Sequence, residues 1–248
     1  MATHFVIHPN YSAQKEALQQ LLSHFDSTGE YVVREGRNVI KKVNLDDVTY
    51  NIKKFRNPNA LQRYVYQYLR KGKAKRSYEY AELLLEKGIK TPHPVAYQEQ
   101  FDGGLQESYY ISEHIEYDFD FRVLNHNPKW PNRNEILRQM AAFTFKLHEE
   151  GIQFLDHSPG NTLIKDNHDG TYDFYLIDLN RMKFGAMDFN ARMRNFRRLW
   201  LSKTMINVMA PVYAKLYGKT EEETHALMTK HSRAFQKKVN SKKLRRKK

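Results

Sequence analysis

Asp156 and Asn161 stand five residues apart around a Ser-Pro-Gly turn, and Asp178 closes an apolar run seventeen residues further on. Those three side chains are what phosphoryl transfer to a hydroxyl needs. One carboxylate orients the attacking hydroxyl and accepts its proton; an amide oxygen and a second carboxylate hold magnesium against the nucleotide phosphates. Pro159 and Gly160 make the turn tight, and apolar, strand-like runs flank it. The stretch Asp166-Asn167-His168-Asp169-Gly170 is a turn signal, so Thr162–Ile164 and Phe174–Ile177 read as the two arms of a hairpin. Asp and Asn also serve as plain turn caps, so the surrounding elements must decide.

The spacing resembles a kinase catalytic loop, H-R-D-x-x-x-x-N, with Asp178 where that pattern puts its metal-binding Asp. Phe154 replaces the His of the pattern, and Leu179-Asn180 replaces the Phe-Gly that follows the metal Asp. Both departures point away from a regulated protein kinase.

Such a loop needs a small β-rich lobe before it. A helical period over Asn10–Phe25 gives way to three strand patterns, Tyr31–Val33, Val39–Val43 and Val48–Phe55. In the third, Asn51-Ile52-Lys53 matches the V-A-I-K pattern, which makes Lys53 the phosphate-binding lysine and leaves Lys54 as its competitor. No glycine-rich loop precedes it, so the turn Glu35-Gly36-Arg37-Asn38, with Arg37, must cover the phosphates. Leu61, Tyr64, Val65, Tyr68 and Leu69 recur at helical spacing among basic residues, and a helix from Ser77 to Gly88 follows, capped by Ser77. Glu79 of that helix is the expected ion-pair partner of Lys53, with Glu82 as the alternative. Strands at Thr91–Tyr97 and Ser108–Glu113 lead to Glu113-His114-Ile115, where main-chain groups of Glu113 and Ile115 would meet adenine.

Glu135–Glu150 carries a broad apolar face and runs into the catalytic loop, as a helix of a larger second lobe does. His148 and His157 read as packing residues, since no further ligand stands at metal-site spacing. Helices over Ser202–Tyr217 and Thr220–Phe235 finish the core, with Thr220 and Glu223 as a capping box. The expected division is a lobe over 1–113, a second over 114–236, and a basic, disordered tail over 237–248. The fold class is α+β, two-lobed and protein-kinase-like.

The chain has no cysteine, which removes thiolate chemistry and disulfides. A formal charge of +13 favours a polyanionic partner: nucleic acid, an anionic membrane or a phosphorylated glycan. No signal peptide or membrane span is expected from the hydropathy.

Taken in order, Asn51-Ile52-Lys53, the glutamate helix, Gly88-Ile89-Lys90-Thr91-Pro92, Asp156-His157-Ser158-Pro159-Gly160-Asn161 and Leu176-Ile177-Asp178-Leu179-Asn180-Arg181 resemble the lipopolysaccharide core kinases, the Kdo/heptose kinase family. The resemblance spans about residues 28–200. It implies ATP and Mg2+ as cofactors, and a sugar hydroxyl of the lipid A-core as acceptor. It implies Asp156 as base, Asn161 and Asp178 as magnesium ligands, and Lys53 with Glu79 on the phosphates. A cytoplasmic location, peripheral on the anionic inner membrane, goes with it, and no nucleic acid partner is expected. Two other readings fit the same residues: an atypical, RIO-like protein kinase without an activation segment, and a pseudokinase that binds without turnover.

Overall fold

The computed structural model describes residues 2–34, 38–59, 63, 65–66 and 70–246. The chain divides into two compact units, 1–115 and 116–248, so the boundary falls just past the expected one at 113. Arg37 and the rest of the Glu35–Arg37 turn lie outside the described residues, as do Leu61, Tyr64, Tyr68 and Leu69.

The first unit is a six-stranded sheet in the order β1-β5-β6-β4-β3-β2. Its strands are β1 (Ala2–Ile7), β2 (Glu30–Val33), β3 (Asn38–Leu45), β4 (Val48–Phe55), β5 (Pro94–Phe101) and β6 (Leu105–Glu113). The three predicted strands of the meander are β2 to β4. Their pairing follows short turns, Asp46-Asp47 joining β3 to β4 with Leu45 opposite Val48. β1 was not anticipated; it adds antiparallel to β5 as an edge strand, and its mostly exposed residues, Ala2-Thr3-His4-Phe5-Val6-Ile7, do not alternate apolar with polar. The predicted N-terminal helix is shorter than its period suggests: a 3-10 turn over Pro9–Gln14, then α1 (Lys15–Ser23).

Two faces of this sheet carry different cores. On one, Leu18 and Leu22 of α1 pack with Phe25, Val43, Tyr50, Ile52 and Tyr109. On the other, Phe55, Tyr97 and Tyr110 pack with Ala74 and Tyr78 of α2 (Lys73–Glu86). Strand alternation therefore separates the two candidate lysines.

α2 begins four residues before the expected start, and Ser77 is buried inside it instead of capping it. The cap comes from elsewhere: the buried Glu99 of β5 accepts from the Lys75 amide at 3.4 Å. Gly72 makes this approach feasible, since a Cβ there would stand 1.9 Å from the Glu99 carboxylate. A carboxylate at a helix N-terminus also faces the positive end of the helix dipole.

The second unit is mainly helical: α3 (Arg122–His126), α4 (Arg133–Glu149), α5 (Phe189–Asn195), α6 (Lys203–Tyr217) and α7 (Glu221–Arg246). Ile136, Leu137, Met140 and Ala141 of α4 meet Met205, Ile206, Met209 and Tyr213 of α6 in one core. Two small sheets lie on it, β10-β9-β7 and β11-β8. They are formed by β7 (Phe119–Asp120), β8 (Ile152–Phe154), β9 (Thr162–Asp166), β10 (Tyr172–Leu176) and β11 (Met182–Phe184). β9 and β10 are the predicted hairpin, in register from Asp166 opposite Tyr172 to Thr162 opposite Leu176. The Thr220 hydroxyl accepts from the Glu223 amide at 3.1 Å, one half of the expected capping box.

The sequence reading expected disorder from residue 237, whereas α7 continues to Arg246. The stretch is rich in lysine and arginine, whose straight side chains lose little freedom in a helix. It also extends a helix already nucleated by the packed Thr224, Met228 and Ser232, so no new nucleus has to form.

Lys41 is 1% exposed, and its ammonium donates to the Phe25, Asp26 and Thr28 carbonyls at 2.7–2.9 Å, fixing the turn that joins α1 to the sheet. Lys41→Met should therefore lower unfolding stability by about 2–4 kcal/mol, because three carbonyls lose a charged donor. Urea unfolding measures this, and a change within about 0.5 kcal/mol would mean that the turn does not depend on the lysine.

Candidate active site

The catalytic stretch is held at both ends by main-chain pairing. β8 enters it, and β11 leaves the segment after Asp178; the two pair with Met182 opposite Phe154, continued by Leu155 N–H donating to Arg181 O at 2.8 Å. Between them the loop folds on itself. The Ser158 amide donates to Asp156 O at 2.6 Å and the Asn161 amide to Ser158 O at 2.9 Å, with Pro159–Asn161 forming a 3-10 turn. The side chain of Asn161 donates its amide hydrogen to the Asp156 carbonyl at 2.8 Å.

That bond decides what Asn161 has left to offer. With its nitrogen on the loop, its oxygen is the atom available to a cation. The Ile177 amide donates to Asn161 O at 3.0 Å, which ties the end of β10 to the same turn, and Asp178 follows at once. Asp178 has φ 58°, the left-handed region that a non-glycine residue enters at a cost. An amide oxygen and a carboxylate are both hard donors, of the kind that Mg2+ takes. Among the described residues there is no cluster of three or more His, Asp or Glu that would hold a metal.

Asp156 is partly buried and paired. Arg198 meets its Oδ1 from Nη2 at 3.0 Å and from Nε at 3.3 Å, and Arg181 stands 3.9 Å from Oδ2. Neither arginine was assigned to the site by sequence reasoning. The Arg192–Arg198 run was visible, but nothing in a linear pattern joins Arg198 to an acid 42 residues earlier. Arg181, three residues after Asp178, is brought back by the β8–β11 pairing, which was not anticipated either.

Both histidines of this region are structural, as expected. His148 accepts from, or donates to, the Tyr213 hydroxyl at Nδ1 (2.7 Å) and meets Asn195 Oδ1 at Nε2 (3.2 Å). Asn195 donates its amide to Phe154 O at 2.8 Å, so its oxygen faces the histidine. Nε2 must then be the donor, and Nδ1 accepts from Tyr213. His157 is fully buried and stacked on Phe154. Burial pushes both imidazoles down to about 3.

In the first unit, Lys53 stands opposite Tyr110, on the face that carries Phe55 and packs against α2. Lys54 stands opposite Tyr109 on the other face, bonded to Glu107 at 2.9 Å and close to the Phe25 ring. The sheet thus assigns Lys53 and Lys54 to different environments, and the α2 side is the one a glutamate of that helix can reach. Glu79 is bonded there to Lys71, at 2.8 Å. Glu82 adjoins the buried layer that faces Lys53: after burial itself, its charge helps push the Tyr78 and Tyr110 hydroxyls up. At the end of β6, the Glu113 amide donates to His93 O and the His114 amide to Thr49 O, while the Glu113 carboxylate accepts from the Tyr11 hydroxyl at 2.7 Å. Ile115 follows beyond the strand.

The family model described as the lipopolysaccharide kinase (Kdo/WaaP) family matches residues 26–231. The chain belongs to this family. Its activity is therefore that of a lipopolysaccharide kinase, a phosphotransferase. No curated protein matches the chain in sequence. Among solved structures it is similar to one titled "WaaP in complex with acyl carrier protein", at 16% identity and a TM-score of 0.67, covering 94% of this chain and 98% of that one. At that identity the likeness shows the fold, which is protein-kinase-like.

The buried histidines set a pH dependence. Each is neutral in the folded chain down to about 3, but takes a proton near 6.5 when unfolded. Their contribution is complete above the unfolded value and is lost as pH falls below it, by about 1.4 kcal/mol per pH unit for each histidine. Urea midpoints should drop from about pH 7 to about pH 5, and His157→Phe should remove roughly half of that histidine-borne slope. The same slope in His157→Phe would mean that His157 is not held neutral.

Proposed function

We propose that this lipopolysaccharide kinase transfers the terminal phosphoryl group of ATP to a sugar hydroxyl, of Kdo or heptose, in the lipid A-core. The supporting observation is the Asp156–Asn161 loop, in which one turn presents a carboxylate held by arginine and an amide oxygen with a free coordination position.

Asp156 orients the acceptor hydroxyl and takes its proton as the bond to phosphorus forms. The Arg198 contact keeps that carboxylate in one orientation, which is where positional catalysis gains its rate. Asn161 and Asp178 would hold Mg2+, which when bound neutralises charge on the phosphates. Lys53 is the phosphate-binding lysine of this reading, with Glu79 or Glu82 of α2 to position it. The location of Glu82 beside the layer facing Lys53 favours Glu82, and Glu79 then serves the start of α2 through Lys71. The main chain at Glu113 and Ile115 receives adenine. Arg37, expected over the phosphates, lies outside the described residues.

The described residues contain no helix long and apolar enough to cross a membrane. We place the enzyme as a peripheral protein on the cytoplasmic face of the inner membrane, where its acceptor would be embedded. The exposed lysines and arginines of the last turns of α7 support this, each basic residue near an anionic surface adding about 1 kcal/mol.

The test is mass spectrometry of a deep-rough lipopolysaccharide after incubation with the enzyme, ATP and magnesium. One added phosphate on a core sugar is the expected outcome; an unmodified glycolipid with phosphate on protein instead would overturn the reading. In the same assay Lys53→Met should lower turnover roughly a hundredfold, as loss of a phosphate-directed charge does. Lys54→Met, which removes a partly exposed ion pair, should change it by less than about threefold. Equal losses in the two variants would contradict the assignment.

A further inference from the structure

α5 and the 3-10 turn after it, Phe196–Leu199, are anchored by what they bury. Met193, Phe196 and Leu199 are fully buried in the core, and Asn195 is bonded to Phe154 O and His148. The intervening positions are Arg194, Arg197 and Arg198, so the anchored residues hold three guanidinium groups in place. Together with Lys183 of β11 they line a cavity of about 260 Å3, with Gln153 and Leu155 of the catalytic stretch among its other walls.

No carboxylate lines this cavity. Among the described residues Lys183, Arg194 and Arg197 have no ion-pair partner, and Arg198 has only Asp156. Arg197 and Arg198 lie over the Phe235 ring of α7 at 5.9 and 5.7 Å, and Trp200, two residues after Arg198, takes a left-handed conformation while its carbonyl accepts from Asn125. Four cations are thus gathered by packing around one open space. The cost shows at Arg197: burial pushes it down first, and the charges of Arg194 and Arg198 push it further in the same direction. Like charges held together in this way are stabilised by an anion, and guanidinium groups match the oxygens of a phosphate in pairs.

We infer that this cavity binds a phosphate monoester already carried by the acceptor glycolipid. The inference rests on the proposed reaction, because Arg198 joins the cavity to Asp156 and an anion seated there would bring a neighbouring hydroxyl to the base. The acceptor is then a sugar phosphate before the reaction begins, so an earlier phosphorylation must supply the substrate.

Two arms test it. In the first, the acceptor KM is measured for lipopolysaccharide with its existing phosphates and for the same material after their removal. The wild type should show a KM about tenfold or more higher for the dephosphorylated acceptor, with the KM for ATP unchanged. Arg194→Glu, at an exposed position that leaves the core untouched, and Arg194→Gln with Arg197→Gln should raise the KM for the phosphorylated acceptor by a similar factor and hardly alter that for the dephosphorylated one. Equal effects on both acceptors, or a wild type indifferent to the phosphate, overturn the inference.

In the second arm, glucose 1-phosphate, glucose and inorganic phosphate are titrated calorimetrically into the wild type saturated with a non-hydrolysable ATP analogue and magnesium. Binding of the sugar phosphate, absent for glucose and lost in both variants, supports the site. If that binding occurs without turnover of any lipopolysaccharide, the site stands and the reaction assignment falls. Inorganic phosphate binding as tightly as the sugar phosphate, with no dependence of the acceptor KM on its phosphate, identifies a site for free phosphate and overturns the inference.

Discussion

The bond from the Asn161 side chain to the Asp156 carbonyl, 2.8 Å long, is the constraint on which the rest of the site depends. It closes the loop from Asp156 to Asn161 with the side-chain nitrogen, which leaves the side-chain oxygen for other partners. The β8–β11 pairing, the tie from Ile177 to Asn161 and the left-handed Asp178 all act on the same turn. Loosening the loop would therefore displace Asp156, Asn161 and Asp178 together. The preorganisation is local, as catalysis by positioning demands.

Around this loop the chain places arginines where a peptide-directed kinase would place an activation segment. Only ten residues separate Asp178 from the start of α5 at Phe189, and they contain the short strand β11. The segment is pinned to β8, and α5 and its 3-10 extension then supply Arg194, Arg197 and Arg198 from a buried base. A formal charge of +13 thus has a local component beside the Asp156 carboxylate, in addition to the basic end of α7. Cations gathered in this way raise the rate at which an anionic partner approaches.

The parts legible in the sequence were those carried by period or by a short motif. The meander, the β9–β10 hairpin, α4 and α6 follow from alternation, helical spacing and turn residues, and the Asp156–Asn161 spacing identified the loop. What escaped was carried by contacts between distant segments. Glu99 caps α2 from another strand, so the choice of Ser77 by local rules failed. Edge strand β1 has too little apolar alternation to announce itself, and its partner residues on β5 lie 89 to 99 positions away. Arg198 meets Asp156 only because Met193, Phe196 and Leu199 bury the backbone that carries it. Alternation alone could not say which face of β4 meets α2; the packing of Phe55 and Tyr110 against Tyr78 does.

In the proposed reaction Asp156 acts on the acceptor hydroxyl and has no part in holding the nucleotide. Single-turnover transfer from radiolabelled ATP to lipopolysaccharide by Asp156→Ala, alongside calorimetric titration of the same variant with an ATP analogue, separates the two roles. The account requires transfer to fall by a factor of roughly a thousand or more while nucleotide affinity stays within about threefold of wild type. Near-normal transfer, or a loss confined to nucleotide affinity, would contradict it.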